Sequence, residues 1–120
     1  MKPIISESVY KKLYSLITKF KSPQVNLLGK ELANAEIVKD DALEKDVVSL
    51  NSTVEFFNDS FNKPITLQIV LPEHADMSKR KISIFAPISI ALIGFKESAR
   101  FRWKMPSGFK NLTILKVLNH

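Results

Sequence analysis

The hydrophobic period of this chain changes once, near residue 46, and that single change limits the folds open to it. Before it, apolar side chains recur at helical spacing: Val9, Leu13, Leu16, Ile17 and Phe20, then Val25, Leu28, Leu32 and Ala35. Ser6 stands where it can cap the first stripe, predicting a helix to about Phe20. Ser22-Pro23 reads as a second cap with proline at the first helical position, opening a helix that should run to about Val38. The link between them is too short for anything but an antiparallel hairpin. Gly29 costs the second helix about 1 kcal/mol relative to alanine, so the pair needs a body to pack on.

After the charged stretch Lys39 to Asp46 the pattern becomes strand-like. Val47 to Leu50 and Thr53 to Phe57 are β-rich, and Asn58-Asp59-Ser60 signals a turn. Ile65 to Leu71 and Lys81 to Phe85 alternate, separated by a loop over Glu73 to Ser78. Pro87 starts a short apolar helix, Ile88 to Ile93, stopped by Gly94. Arg100 to Lys104 puts Phe101 and Trp103 on one face and its three cations on the other; Pro106-Ser107-Gly108 turns, and Leu112 to Leu118 closes the sheet. Strands in series around one helix predict an α+β fold: an N-terminal hairpin over 1–46, then a mostly antiparallel sheet around a short helix over 47–120.

Several function classes are excluded or disfavoured. The longest apolar stretch, Ile88 to Phe95, is interrupted by Ser89 and Gly94 and falls far short of the roughly 20 residues a membrane span needs. No secretory signal pattern is visible at the N-terminus. Cysteine is absent, which removes disulfides and thiolate metal sites and makes a reducing cytoplasm the simpler home. Three scattered glycines cannot form a phosphate loop, and no nucleophile motif marks a catalytic triad. His74 sits in a polar loop, where exposure to solvent is the expected role rather than metal ligation; no metal or other cofactor is expected. Asp40, Asp41 and Glu44 could hold a divalent cation through carboxylate oxygens, but a solvated connector is the expected reading.

Charge is uneven along the chain. Residues 1–30 balance to +5, residues 31–46 to −4 and residues 47–120 to +5, within a net +6. Basic surface of this kind steers a protein towards nucleic acid or an acidic partner, or simply solvates it. The aromatics Phe56, Phe61, Phe85, Phe95, Phe101, Phe109 and Trp103 are expected mainly in the core, whereas Phe57 faces away from Val54 and Phe56 and is the better partner contact.

Four blocks in order carry a family resemblance. They are Val47-Val48-Ser49-Leu50-Asn51-Ser52-Thr53-Val54, Glu73-His74-Ala75-Asp76, Lys81-Ile82-Ser83-Ile84, and Ala86-Pro87-Ile88-Ser89-Ile90-Ala91-Leu92-Ile93-Gly94. From Asp46 onward the chain resembles the C-terminal domain of the Gre transcription elongation factors. With Glu31-Leu32-Ala33-Asn34-Ala35-Glu36 added, nearly the whole chain is similar to the regulator of nucleoside diphosphate kinase (Rnk) family, which looks like a Gre factor with a shortened coiled coil. The resemblance implies an FKBP-like second domain in a bacterial, cytoplasmic protein that binds RNA polymerase at its secondary channel. Contact with nucleic acid, DNA included, would then be indirect, within that complex. Docking would use Glu73, Ala75 and Asp76 with Ala86, Pro87 and Ile88; Lys11, Lys12, Lys19 and Lys21 would face the channel.

The departures from the family pattern shape the expected activity. Gre factors carry carboxylates at the coiled-coil tip, where they help hold a metal ion for transcript cleavage. Here the expected tip is Lys21-Ser22-Pro23-Gln24, and Asp41 and Glu44 lie at the base. A non-enzymatic transcription regulator is therefore expected. The alternatives are a cleavage factor using Asp41 and Glu44 and a nucleic-acid-binding protein that acts without polymerase. Ala86 replaces the serine usual before the helix proline, and Glu97-Ser98-Ala99 replaces a glycine-aspartate turn. Neither the FKBP-like label nor any aromatic-lined pocket visible in the sequence brings prolyl isomerase activity.

Overall fold

Helix starts are where local chemistry speaks most clearly, and both N-terminal helices begin as their caps dictate. In the computed structural model, which describes residues 2–120, α1 spans Glu7–Lys19 and the Ser6 hydroxyl accepts from the Val9 N–H. Helix α2 spans Pro23–Asn34, with the Ser22 hydroxyl accepting from the Val25 N–H at 3.1 Å and Pro23 at its first turn. Only Phe20, Lys21 and Ser22 join them. Leu13, Leu28 and Leu32 are buried beneath the two helices, and a Cβ at Gly29 would sit 3.6 Å from Ile17, in ordinary contact.

The second helix ends earlier than its hydrophobic stripe predicts. It stops at Asn34, and Glu36–Val38 forms a strand, β2, instead of a last turn. The reason lies outside the segment. Ile4–Ser6 forms a strand, β1, which nothing in the local pattern announces, and pairs in parallel with β2 through Ile5 opposite Ile37. The Glu36 N–H donates to the Pro3 carbonyl at 2.8 Å, so backbone groups that a helix would use internally are satisfied across the chain.

The main sheet has five strands: β3 (Thr53–Asn58), β4 (Ile65–Val70), β5 (Lys81–Ser83), β6 (Arg100–Met105) and β7 (Gly108–Leu118). Their spatial order is β5-β4-β3-β7-β6, antiparallel except for the β4–β5 pair. β7 begins at Gly108 rather than near Leu112, because residues 108–111 complete the ladder with β6. A bulge opposite Glu55 and Phe56 leaves Leu115 as its extra residue.

Val47 to Leu50 is not a strand: only Val47 makes an isolated bridge, to Lys96. Asn51 turns the chain at φ 74°, so this stretch is a buried connection instead of a ladder. One inner face of the sheet, with Val54, Phe56, Leu67, Ile69 and Ile114, packs on α3 (Pro87–Leu92). The same core continues into Ile5, Leu13, Leu28 and Leu32 of the N-terminal elements. The architecture is thus mixed helix and sheet, with three helices and a mostly antiparallel sheet.

Candidate docking site

Parallel pairing of β4 with β5 sets the geometry here. Val70 lies opposite Ser83, so the chain leaves both strands at the same end. From one strand departs the loop holding Glu73; from the other departs the turn leading through Phe85 to Ala86, Pro87 and Ile88. Two of the three segments singled out in the sequence are thereby gathered at one corner. Glu73 and Ala75 are exposed, while Ala86, Pro87 and Ile88 are half-buried.

Asp76 belongs to the same loop but has another task. Its carboxylate accepts from the Ser78 N–H at 3.1 Å and the Ser78 hydroxyl at 2.6 Å, capping a short 3-10 turn over Met77–Lys79. Its backbone exchanges hydrogen bonds with Lys81, at the far end of β5 from Ser83. The loop therefore folds back along the sheet edge, and Asp76 shapes it more than it presents a free charge. His74 is exposed in this loop.

At Ala86 the helix cap has backbone geometry but no side-chain acceptor (φ −66°, ψ 142°). Nearby serines compensate. The Ser83 hydroxyl accepts from the Phe85 N–H at 3.0 Å, and the buried Ser89 hydroxyl donates to the Ser83 carbonyl at 2.7 Å. The turn before α3 is fixed without a cap at Ala86.

The connection between α1 and α2 comes to this corner as well. Phe20 packs edge-on against Phe85, ring centroids 5.8 Å apart, and Lys19 and Lys21 flank it, exposed. Lys11 and Lys12 are also exposed, but Lys11 lies nearer the start of α1, where it shares a hollow with Glu7, Ser8, Lys39, Asp40 and Asp41. The four lysines do not form one patch. Sequence reasoning missed the Phe20–Phe85 contact: Phe20 continues the α1 stripe in phase, and nothing local says which surface it meets.

A second missed feature is an apolar groove of about 330 Å³ between α3 and the sheet. Phe56, Leu67, Ile88 and Met105 line it, with Phe61 exposed at its rim. Ile88 thus opens onto the groove. Phe61 sits in the polar turn region after β3, where a ring has no periodic partner to announce it.

The acidic connector is engaged elsewhere. The Asp40 carboxylate accepts from the Ser8 N–H at 3.0 Å, and this hydrogen bond, first among its causes, holds its carboxyl below the usual range. Glu44 pairs with Lys96 at 2.6 Å, which raises the lysine. Glu31 is pushed up by partial burial. Among the described residues no three acidic or histidine side chains converge as metal ligands. Helix α1, about 20 Å long at 1.5 Å per residue, separates this connector from the Phe20–Ser22 turn, which carries no carboxylate. Among the described residues no helix is long and apolar enough to cross a membrane.

Comparison with known proteins supplies the context for this corner. Residues 43–119 match the family described as transcription elongation factor, GreA/GreB, C-terminal. Transcription elongation factor GreA of Rhodopseudomonas palustris (strain TIE-1) is 36% identical over 94 residues, covering 78% of this chain and 60% of that protein. The regulator of nucleoside diphosphate kinase of Escherichia coli (strain K12) is 31% identical over 96 residues, 80% of this chain and 69% of that one. A solved prokaryotic transcription elongation factor GreA/GreB from Nitrosomonas europaea is 33% identical, covers 99% of both chains and superposes with a TM-score of 0.79. The chain spans 60% of the length of the GreA relative.

Proposed function

The chain belongs to the family of transcription elongation factors GreA/GreB, C-terminal, with the regulator of nucleoside diphosphate kinase among its relatives, and from that we propose that it docks on RNA polymerase near the secondary channel and regulates transcription without stimulating transcript cleavage. In this reading the N-terminal helices, residues 1–46, are a shortened coiled-coil hairpin, and residues 47–120 are an FKBP-like docking domain. The protein works in the cytoplasm, needs no cofactor, and meets nucleic acid within the complex.

The observation that carries the proposal is the gathering of Glu73, Ala86, Pro87 and Ile88 at one corner, beside the apolar groove and beside Phe20 with its flanking lysines. A half-buried apolar helix start next to a groove, rimmed by charge, has the make-up of a protein contact: an apolar centre with a polar border. Lys19 and Lys21 supply positive charge where the Gre tip has carboxylates, and Asp40 and Glu44 are already committed to Ser8 and Lys96. The Phe20–Ser22 turn itself carries no carboxylate to hold a catalytic metal ion, and of the pair Asp41 and Glu44 at the base the second is drawn to Lys96.

Capture of core RNA polymerase by the tagged full chain tests this. Glu73→Arg and Pro87→Glu should each weaken capture at least about tenfold, the loss of one well-packed contact. Neither side chain makes a hydrogen bond among the described residues, and glutamate suits a first helical turn, so circular dichroism should be unchanged. Asp76→Arg is a poorer probe because it removes the cap on Ser78. Unimpaired capture by both variants would reject the docking corner. Mg²⁺-dependent shortening of RNA in stalled complexes, lost in Asp41→Ala, would instead establish a cleavage factor.

A further inference from the structure

We propose that the outward face of the sheet, along β6 and β7, binds single-stranded RNA. On that face β6 presents Arg100, Arg102 and Lys104, all exposed, while Phe101, Trp103 and Met105 turn inward. Directly across on β7 stand Thr113, Asn111 and Phe109. The next strand places Phe57 opposite Thr113, half-buried on the same face, and Lys116 opposite Glu55.

Charge here is one-sided. Arg100, Arg102, Lys104 and Lys116 outnumber the two carboxylates that reach this face, Glu55 and Asp59, and none of the four is in a salt bridge among the described residues. Asp59, at the border, is held by the Asn111 N–H and side-chain amide. Cations on an edge strand such as β6 would by themselves be a guard against edge-to-edge pairing. That role does not call for an exposed ring among them. Phe109 is 56% exposed, and the Arg102 guanidinium lies over it, 4.3 Å from the ring centroid. A guanidinium held flat on an aromatic ring offers one more planar surface for a base, with the charge beside it for a phosphate.

Phe109 and Phe57 are set apart by four residues of β7, about 14 Å at 3.4 Å per residue, with Arg100 and Arg102 along the way. Two stacking positions joined by cations suit an extended strand with splayed bases. Exposed rings can stack only on bases that are free of their own neighbours, so a single strand is favoured over a duplex, whose bases are stacked inside it. The choice of RNA rests on the family reading above, since transcription elongation puts a transcript at hand. The face is separate from the proposed docking corner: Met105 and Ile88 line the groove on the other side of the sheet.

Fluorescence anisotropy of the full chain with a labelled single-stranded RNA of about a dozen nucleotides tests the proposal. Affinity should fall with salt at a log–log slope of about −3 for four phosphate contacts, and Arg102→Gln should reduce that slope by about 0.7. Phe109→Ala leaves the charge intact and should weaken binding about 5- to 150-fold, the cost of one lost stacking platform. Because Phe109 is exposed, circular dichroism should show an unaltered fold. Equal affinity for the same sequence as DNA, for duplex RNA or for poly-glutamate would overturn the proposal, as would an unaffected Phe109→Ala. Polymerase capture separates the two readings. An unmodified chain that captures polymerase but binds no RNA rejects this face alone; capture lost by Pro87→Glu with RNA binding retained leaves it standing.

Discussion

Asp40 shows how a side chain that looks like a candidate ligand acquires a structural task. It caps α1 from 32 residues away, at 3.0 Å from the Ser8 N–H, a closer approach than the 3.4 Å between Val9 N and the local Ser6 cap. Because its carboxyl is held below its unfolded value, the unfolded chain binds the proton more readily. The stability it contributes is present above the unfolded pKa and is lost as pH falls through the folded one. Asp40→Asn keeps an acceptor but removes the titration. Urea midpoints of the two proteins should differ most near neutral pH and converge at the acid end; parallel curves would show that Asp40 is not coupled to folding. At the other terminus, Asn119 donates to the Lys45 and Val47 carbonyls at 2.7 and 2.9 Å and accepts from the buried Ser52 hydroxyl. Those three bonds tie the last strand to the connection after residue 44, and no periodicity reports them.

At the scale of elements, α3 owes its end to Gly94. That residue sits at φ 85°, donates to the Val48 carbonyl at 2.8 Å and accepts from the Ile4 N–H at 2.9 Å. A Cβ there would come within 2.8 Å of the Ile4 nitrogen and closer still to Pro3. Gly94→Ala should cost about 1–3 kcal/mol from the strained backbone alone, with the clash adding to it, measured as a lowered urea midpoint. A neutral outcome would mean that the N-terminal strand moves aside freely. The glycine is legible in the sequence as a helix stop; its second role, admitting β1 against the helix end, is not. The same limit explains the misplaced end of α2. A three-residue strand has too little local pattern to recognise, and β1 and β2 exist because each satisfies the other's backbone.

At the scale of the whole molecule, the N-terminal helices lie against α3 and the β1–β2 pair instead of projecting from the body. Extents of 36 × 31 × 29 Å leave no room for a free arm of about 20 Å, and Phe20 at the far turn touches Phe85. The core running from Leu13 and Leu28 into Val54 and Ile114 predicts cooperative unfolding. Leu28→Ala, about 2–5 kcal/mol for a fully buried leucine, should shift unfolding followed by the fluorescence of Trp103 and by circular dichroism equally. Trp103 is the single tryptophan and lies on β6, far from α2 in sequence, so two separated transitions would show that residues 1–46 and 47–120 unfold as independent units.

Local sequence was enough for features whose partners lie within a few residues: the Ser6 and Ser22 caps, Pro87, Gly94, and the inward and outward faces of β3, β4 and β6. It was also enough, through its ordered blocks, for the family. Tertiary structure alone decided the end of α2, the existence of β1, the engagement of Asp40 and Glu44, and the corner where Phe20 meets Phe85. Each of these depends on a backbone or side-chain partner tens of residues distant. A helix or strand pattern records which way a residue points, and the identity of what it meets enters only when the chain closes on itself.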